Sequence, residues 1–107
     1  MSKTALSTQN ESSSSTPPRR CQLVVIDGPD AGRAVALGES PVRVGTREGC
    51  ALRLSDPRVS GEHLEVHAEG AGFVVRDLGS RNGTLYEGSR IGEARVRVGA
   101  TLKVGRS

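Results

Sequence analysis

Residues 60–84 have the sequence SGEHLEVHAEGAGFVVRDLGSRNGT, which contains the strongest structural signals in the chain. Near its start, Leu64 and Val66 alternate with polar residues, with the period of two that is typical of a β-strand with one buried face. A second apolar run at 73–77 follows a glycine-rich turn, and an Asn-Gly pair at 82–83 marks another turn. We therefore predict two strands here, followed by a loop.

The rest of the chain repeats this pattern of short apolar or alternating runs bounded by turn residues. Aromatic residues make up only 2% of the chain and 14 residues are glycine, a composition that disfavours a helical bundle. Turn signals roughly every ten residues are typical of an all-β antiparallel sandwich or barrel. The predicted strands are 22–26, 34–37, 42–45, 51–54, 63–67, 73–77, 84–86, 95–98 and 101–104. In the last two strands, the alternation predicts one face with the apolar residues Val96, Val98, Leu102 and Val104.

The charge pattern favours phosphate or carboxylate over nucleic acid as a binding target. The chain has 15 basic and 12 acidic residues, and all but two of the basic ones are arginine. Arginine suits bidentate recognition of phosphate and carboxylate groups. Acidic and basic residues are interleaved, and the scarcity of aromatic side chains disfavours base stacking, so we predict no nucleic-acid binding.

Two cysteines and the absence of targeting signals indicate the compartment. Cys21 and Cys50 have no spacing typical of a metal or redox site. No apolar segment of a secretory signal peptide follows Lys3, and no apolar run approaches the about 20 residues of a transmembrane helix. We therefore predict reduced thiols in a cytoplasmic protein, with no metal, no cofactor and no membrane partner.

The first 19 residues differ from the rest in composition. Residues 1–19 are rich in serine and threonine, and they contain too little apolar surface to offset the entropy of ordering, so we predict a disordered tail. Thr4, Thr8 and Thr16 are then predicted to be exposed. If phosphorylated, they could bind the folded domain of the same molecule or of a neighbour.

Two segments contain side chains that could perform chemistry. Ser60 and His63 lie three residues apart, a spacing compatible with a nucleophile and its base, but the chain lacks the G-x-S-x-G elbow of a hydrolase. The alternative is a turn serine and a histidine whose ring binds backbone groups. The loop at 77–84 could direct its backbone N–H groups and the Asn82 amide towards an anion, or form a simple hairpin turn.

Together, these pieces resemble the forkhead-associated (FHA) domain, over roughly residues 21 to 105. The resemblance implies an FHA-type (SMAD/FHA-like) antiparallel β-sandwich of about eleven strands, with loops at one end that bind phosphothreonine peptides. Such a module is not an enzyme. The residues of the motif are Gly45, then Ser60-x-x-His63, then Asp77-Leu78-Gly79-Ser80-x-Asn82-Gly83-Thr84.

The resemblance also implies roles for individual residues. Ser60 resembles the hydroxyl that binds the phosphate, Asn82 the amide that holds the peptide backbone, and Arg81 a further contact to phosphate or peptide. His63 resembles the histidine that braces the loops. The remaining structural positions of the motif are Gly45, Asp77, Ser80, Gly83 and Thr84.

The sequence departs from the family at two positions of the predicted phosphate site. Thr46 follows Gly45 where the family has its principal phosphate-binding arginine, and Gly61 follows Ser60 where the family has a larger polar residue. Charged hydrogen bonds contribute roughly 1.5–3 kcal/mol each, so their loss would weaken phosphate binding. Arg47, Arg58 and Arg81 are the candidate replacements. A scaffold that binds partner proteins without phosphate is the alternative function.

The resemblance extends to the biological context. A phosphothreonine-binding module takes part in a Ser/Thr-kinase pathway through a phosphorylated protein partner. The family's last strand continues beyond the glycine that corresponds to Gly105, so we expect residues 20–107 to be a domain cut from a longer protein. In style, the module is similar to those of bacterial transcription activators that work with sigma-54 polymerase.

Overall fold

The computed structural model describes residues 4–10, 21–70 and 72–104, and these residues form eleven β-strands without an α-helix. None of the described residues belongs to a helix that could span a membrane. The strands are β1 Thr4–Asn10, β2 Cys21–Asp27, β3 Ala34–Leu37, β4 Val42–Gly45, β5 Leu52–Arg53, β6 Leu64–Glu69, β7 Gly72–Asp77, β8 Thr84–Tyr86, β9 Ser89–Ile91, β10 Glu93–Val96 and β11 Thr101–Val104.

The strands form two sheets. The six-stranded sheet has the order β3-β2-β1-β11-β8-β9, and the five-stranded sheet has the order β10-β7-β6-β4-β5. All neighbouring pairs are antiparallel except β4 and β5, which pair in parallel through Val44–Leu52 and Gly45–Arg53. The predicted all-β sandwich is confirmed, with one parallel pair that the sequence pattern did not indicate.

One apolar core lies between the sheets, and strand alternation determines which side chains enter it. Leu64 and Val66 of β6 are fully buried, as are Leu102 and Val104 of β11, which confirms the predicted alternation in both segments. The prediction was wrong at Val98, which is 43% exposed, because β10 ends at Val96 and the chain turns away from the core.

The prediction of a disordered tail was wrong for Thr4–Asn10. These residues form β1 in the middle of the six-stranded sheet, paired with β2 on one side and β11 on the other. Leu6 lies opposite Val25 and Leu102, and it is fully buried in the core. The rest of the predicted tail, residues 1–3 and 11–19, lies outside the described residues.

The reason for this error is that β1 is stabilised by contacts distant in sequence. A central strand satisfies its backbone N–H and C=O groups on both sides, and it also covers the facing edges of β2 and β11. Thr4 and Thr8 are fully buried instead of exposed, so a phosphate on either would require β1 to leave the sheet. Thr16 lies outside the described residues.

A second strand that the sequence did not predict is β9, which forms a tight hairpin with β8. The hairpin turns at Glu87 and Gly88, which both have positive φ angles, 52° and 81°. Two-residue turns of this kind usually contain asparagine or aspartate before the glycine. Because the first position is a glutamate, the sequence pattern did not indicate this turn.

The order of strands brings three loops together at one end of the five-stranded sheet. β6 runs antiparallel to both β4 and β7, so its start lies beside the ends of those two strands. The loop after β4, the loop that enters β6 and the loop after β7 therefore meet. They contain every predicted phosphopeptide-binding residue, and the motif residues Gly45, Asp77 and Thr84 lie at the strand ends that flank them.

Candidate functional site

Gly45, at the end of β4, allows the backbone of two loops to approach closely. Beyond it, the Thr46 N–H donates to the Ser60 carbonyl at 3.1 Å, and the Arg47 N–H donates to the Gly61 carbonyl at 3.0 Å. A Cβ on Gly45 would lie 2.9 Å from the Ser60 oxygen and closer still to the Gly61 oxygen. Only glycine therefore fits at this position without displacing the Ser60 loop.

The His63 ring joins the other two loops. Its Nδ1 accepts the backbone N–H of Ser60 at 3.1 Å, so its Nε2 carries the proton and donates to the Gly83 carbonyl at 2.8 Å. The side chain is fully buried. Burial lowers the pKa of His63 below 6.5, although the hydrogen bond to Gly83 and the nearby Asp77 oppose this shift.

This arrangement does not suit the hydrolase alternative. Nδ1 of His63 binds the backbone of Ser60 and not its hydroxyl, and Nε2 binds the Gly83 carbonyl, so neither ring nitrogen is placed to take a proton from Ser60 Oγ. His67 pairs with Glu69 at 3.5 Å. Within the described residues, no group of three His, Cys, Asp or Glu side chains could hold a metal ion.

The loop after β7 is shaped by its own side chains. Asp77 Oδ2 accepts the N–H groups of Gly79 and Ser80, and Oδ1 accepts the hydroxyls of Ser80 and Thr84. Ser80 Oγ also accepts the Gly83 N–H at 2.9 Å. Burial alone raises the pKa of Asp77, but these hydrogen bonds together lower it below its usual 3.8.

Ser60 and the loop after β7 meet at one point. The Arg81 backbone N–H donates to Ser60 Oγ at 2.9 Å, so the Ser60 hydroxyl retains its own proton as a donor for a ligand. Asn82 Nδ2 donates to the Arg58 carbonyl at 2.8 Å. Asn82 therefore ties the two loops together, a contact that the sequence did not predict.

The side chain of Arg47 lies over Gly61, where a Cβ would stand 3.6 Å from Arg47 Nε. The Arg47 side chain is 67% exposed, and its guanidinium lies 3.6 Å from Glu62, which also pairs with Arg43 at 3.3 Å. Arg47 is thus beside the Ser60 loop, as the candidate replacement for the missing arginine must be. Glu62 neutralises part of its charge.

β1 contacts the site as well. Thr4 Oγ1 donates to Asp56 Oδ2 at 2.9 Å, and both side chains are fully buried. The other oxygen of Asp56 accepts the Arg58 N–H at 2.9 Å, at the start of the turn that leads to Ser60. Asp56 is not among the predicted site residues, and its contact with β1 is visible only in the tertiary structure.

The two cysteine side chains are partly buried. Neither Cys21 nor Cys50 forms a disulfide among the described residues. Cys50 Sγ lies 3.2 Å from the Gly61 carbonyl, behind the Ser60 loop. Burial is the main cause that raises the pKa of Cys50 above 9.0, so this thiol is not activated as a nucleophile.

The buried state of His63 predicts an acid-sensitive fold. Because the folded pKa lies below 6.5, the unfolded chain binds more protons below pH 6.5, and stability is lost as pH falls from 6.5 towards the folded pKa. We expect urea melts to show this loss of stability between pH 7.5 and 5. His63→Ala should remove this pH-dependent contribution and also lower the stability at pH 7.5 by about 2 kcal/mol. The control His67→Ala should retain the loss, and an unchanged pH profile in His63→Ala would contradict the role.

Comparison with known proteins agrees with this geometry. A family model described as the cytoplasmic domain of the inner membrane component of the type III secretion system (Yop-YscD) matches residues 24–107. FHA domain-containing protein FhaB of Mycolicibacterium smegmatis is 36% identical over 87 residues, which are 80% of this chain and 56% of FhaB. The chain belongs to the forkhead-associated family.

Two further matches extend the likeness. The glycogen accumulation regulator GarA of M. smegmatis is 33% identical over 84 residues, 78% of this chain and 53% of GarA. A solved FHA structure, from a study of phosphothreonine-dependent interactions, matches with a TM-score of 0.59 at 24% identity over 96% of each chain. That likeness shows the fold. The chain spans about half the length of the relatives FhaB and GarA.

Proposed function

We propose that this FHA domain binds phosphothreonine peptides and so mediates phosphorylation-dependent protein–protein interaction without being an enzyme. The family supports a role in recognition. The solved relative in the study of phosphothreonine-dependent interactions supports the choice of ligand. The site residues that the sequence singled out support it too, because they meet at one end of the sandwich.

The observation that carries the proposal is the meeting of Ser60, Arg81 and Arg47. The Ser60 hydroxyl retains a proton to donate and lies against the Arg81 backbone N–H, with the Arg47 guanidinium over the adjacent Gly61. A phosphate has about −1.5 to −2 charges and three acceptor oxygens, which match hydroxyl and guanidinium donors. The hydrogen bonds of His63 and Asp77 hold these groups before a ligand arrives.

A second function is favoured by a specific observation. Thr46 lacks the charge of the family's arginine, and Glu62 competes for the guanidinium of Arg47 at 3.6 Å. Both features reduce the attraction for phosphate. An FHA-fold scaffold that binds partner proteins independently of phosphate is therefore the alternative to be tested against the first proposal.

The test is a titration of a phosphothreonine peptide library and its unphosphorylated twin. We expect binding of the phosphorylated set alone, and we expect Ser60→Ala to weaken it by about tenfold or more, as the loss of a charged hydrogen bond requires. Ser89→Ala is the matched control, because Ser89 is exposed in the β8–β9 hairpin, away from the β7–β8 loop. Equal affinity for both peptide sets would favour the scaffold.

The wider setting is part of the proposal. A Ser/Thr kinase would create the ligand, and the phosphorylated protein would be the partner. We propose regulation of a sigma-54-dependent transcription activator as the output, on the similarity in sequence style alone. A sigma-54 reporter assay with the full-length protein, with and without an active kinase, tests this setting, and kinase-independent transcription would contradict it.

A further inference from the structure

A polar cleft opens beside the Ser60 loop. It has a volume of about 440 Å³ and is lined by Asp30 and Arg33 from the β2–β3 connection, Arg53 from β5, and Thr46 and Ser55 from the loops around them. Proline and two apolar side chains complete the wall. The cleft is thus a mainly polar depression with two arginines, distinct from the point where Ser60 meets Arg81.

Arg53 is the principal cation of this cleft. Its Nε donates to the Thr46 carbonyl at 3.1 Å, which holds the guanidinium beside the Thr46 backbone. Among the described residues, no carboxylate forms a salt bridge with Arg53, in contrast to Arg47 and Arg43, which both pair with Glu62. The terminal nitrogens of Arg53 are therefore available to an anion.

The second arginine is oriented by its neighbours. Arg33 Nη1 donates to the Arg53 carbonyl at 3.3 Å, and its Nε lies 3.7 Å from Asp30. Asp30 is buried, and its carboxylate also accepts the Ser55 N–H at 2.7 Å and the Ser55 hydroxyl at 2.9 Å. Asp30 thus holds Ser55 and Arg33 in place. With two arginines and one carboxylate, the cleft has a net positive charge.

The cleft is close enough to Ser60 for one peptide to reach both. Thr46 lines the cleft, and its N–H donates to the Ser60 carbonyl at 3.1 Å. Val59, the residue before Ser60, lies in the same wall. An extended peptide advances about 3.3 Å per residue, so a side chain within about three residues of the phosphothreonine can enter.

We propose that this cleft is a second anion subsite, in which Arg53 and Arg33 bind an anionic side chain of the same phosphothreonine peptide. The anionic group is a carboxylate or a second phosphate, since arginine recognises both by bidentate hydrogen bonds. This inference rests on the proposed function of the Ser60 site and adds the preferred peptide class, which is acidic or doubly phosphorylated near the phosphothreonine.

The experiment uses three phosphothreonine peptides and the chain of 107 residues. One peptide has neutral flanks, one has glutamates within three residues on both sides, and one has a second phosphothreonine there. We expect the two anionic peptides to bind about fivefold more tightly than the neutral one, the size of an exposed ion pair. The comparison of glutamate with phosphothreonine identifies which anion the subsite prefers.

The variants Arg53→Gln and Arg33→Gln should lower this advantage while leaving the affinity of the neutral phosphothreonine peptide unchanged. Arg53→Lys retains the positive charge but not the bidentate guanidinium, so it should keep part of the affinity advantage of the anionic peptides. Arg95→Gln is the matched control, because Arg95 is exposed and pairs with Glu69 at 2.9 Å on another strand. Thermal melts check that each variant is folded.

The outcomes separate the two proposals. Binding of the neutral phosphothreonine peptide with no advantage for the anionic ones overturns the subsite and leaves the proposed function standing. An advantage that persists in both glutamine variants also overturns it. If no phosphothreonine peptide binds at all, the proposed function fails, and the subsite fails with it.

Discussion

Gly45→Ala is expected to destabilise the domain by about 3 kcal/mol, because the added methyl group overlaps two carbonyl oxygens and forces two loops apart. The Ser60 and Gly61 carbonyls that it would displace accept the N–H groups of Thr46 and Arg47. Moving them shifts the Ser60 hydroxyl away from Arg81. On the proposed function, phosphothreonine-peptide affinity should therefore fall together with stability.

The matched control for this substitution is Gly49→Ala. Gly49 lies in the turn after β4, and a Cβ there would have no atom within 4 Å. Urea denaturation and peptide titration of both variants provide the measurements, with stability in Gly49→Ala expected to change by less than about 0.5 kcal/mol. Similar stability in the two variants would show that β4 and the Ser60 loop are not closely packed at this point.

Leu6→Ala is expected to lower the free energy of unfolding by about 3 kcal/mol, the cost of a cavity in a packed core. Leu6 is fully buried and lies between Val25 of β2 and Leu102 of β11. A residue in a disordered tail would contribute almost nothing to the free energy of unfolding. This substitution therefore distinguishes the central strand from the tail that composition predicted.

Val98→Ala is the control for Leu6→Ala, since Val98 is 43% exposed and lies outside β10. We expect its effect to stay within about 0.5 kcal/mol. Hydrogen exchange adds an independent measurement, because loss of β1 would expose backbone amides of β2 and β11 to solvent. Equal stability of the two variants, with no faster exchange in those strands, would contradict the placement of β1.

The contact between Thr4 and Asp56 connects these two predictions. Thr4 of β1 hydrogen-bonds to the buried carboxylate of Asp56, which in turn holds the Arg58 N–H at the start of the Ser60 turn. Breaking β1 would leave the Asp56 carboxylate without this buried partner. A substitution at Leu6, far from the ligand in sequence, can therefore disturb the site as well as the core.

Much of the site was predictable because its geometry is local. In the loop at 77–84, Asp77 binds Gly79, Ser80 and Thr84, all within seven residues of it. His63 likewise reaches Ser60 three residues away. Short-range hydrogen bonds of this kind require particular residue types at set spacings, which is why they leave a motif in the sequence.

The contacts of Asn82 and Arg53 were not predictable in the same way. Asn82 binds the Arg58 carbonyl and Arg53 binds the Thr46 carbonyl. Every residue has a backbone carbonyl, so a hydrogen bond to a carbonyl requires no particular residue type at the acceptor position and leaves no motif in the sequence. Only the paths of the loops determine which carbonyl each side chain meets.

The sequence by itself determined the β class, the strands from residue 21 onwards whose faces alternate, and the family motif from Gly45 to Thr84. These features depend on residue type and on spacing along the chain. The tertiary structure alone decided that Thr4–Asn10 form a central strand and that Arg53 lines a cleft beside Thr46. The physical reason is that the hydrogen bonds and buried area that stabilise β1 come from β2 and β11. A polar segment with one leucine becomes ordered only when it pairs with both strands, because only then do the hydrogen bonds and buried area offset its loss of conformational entropy.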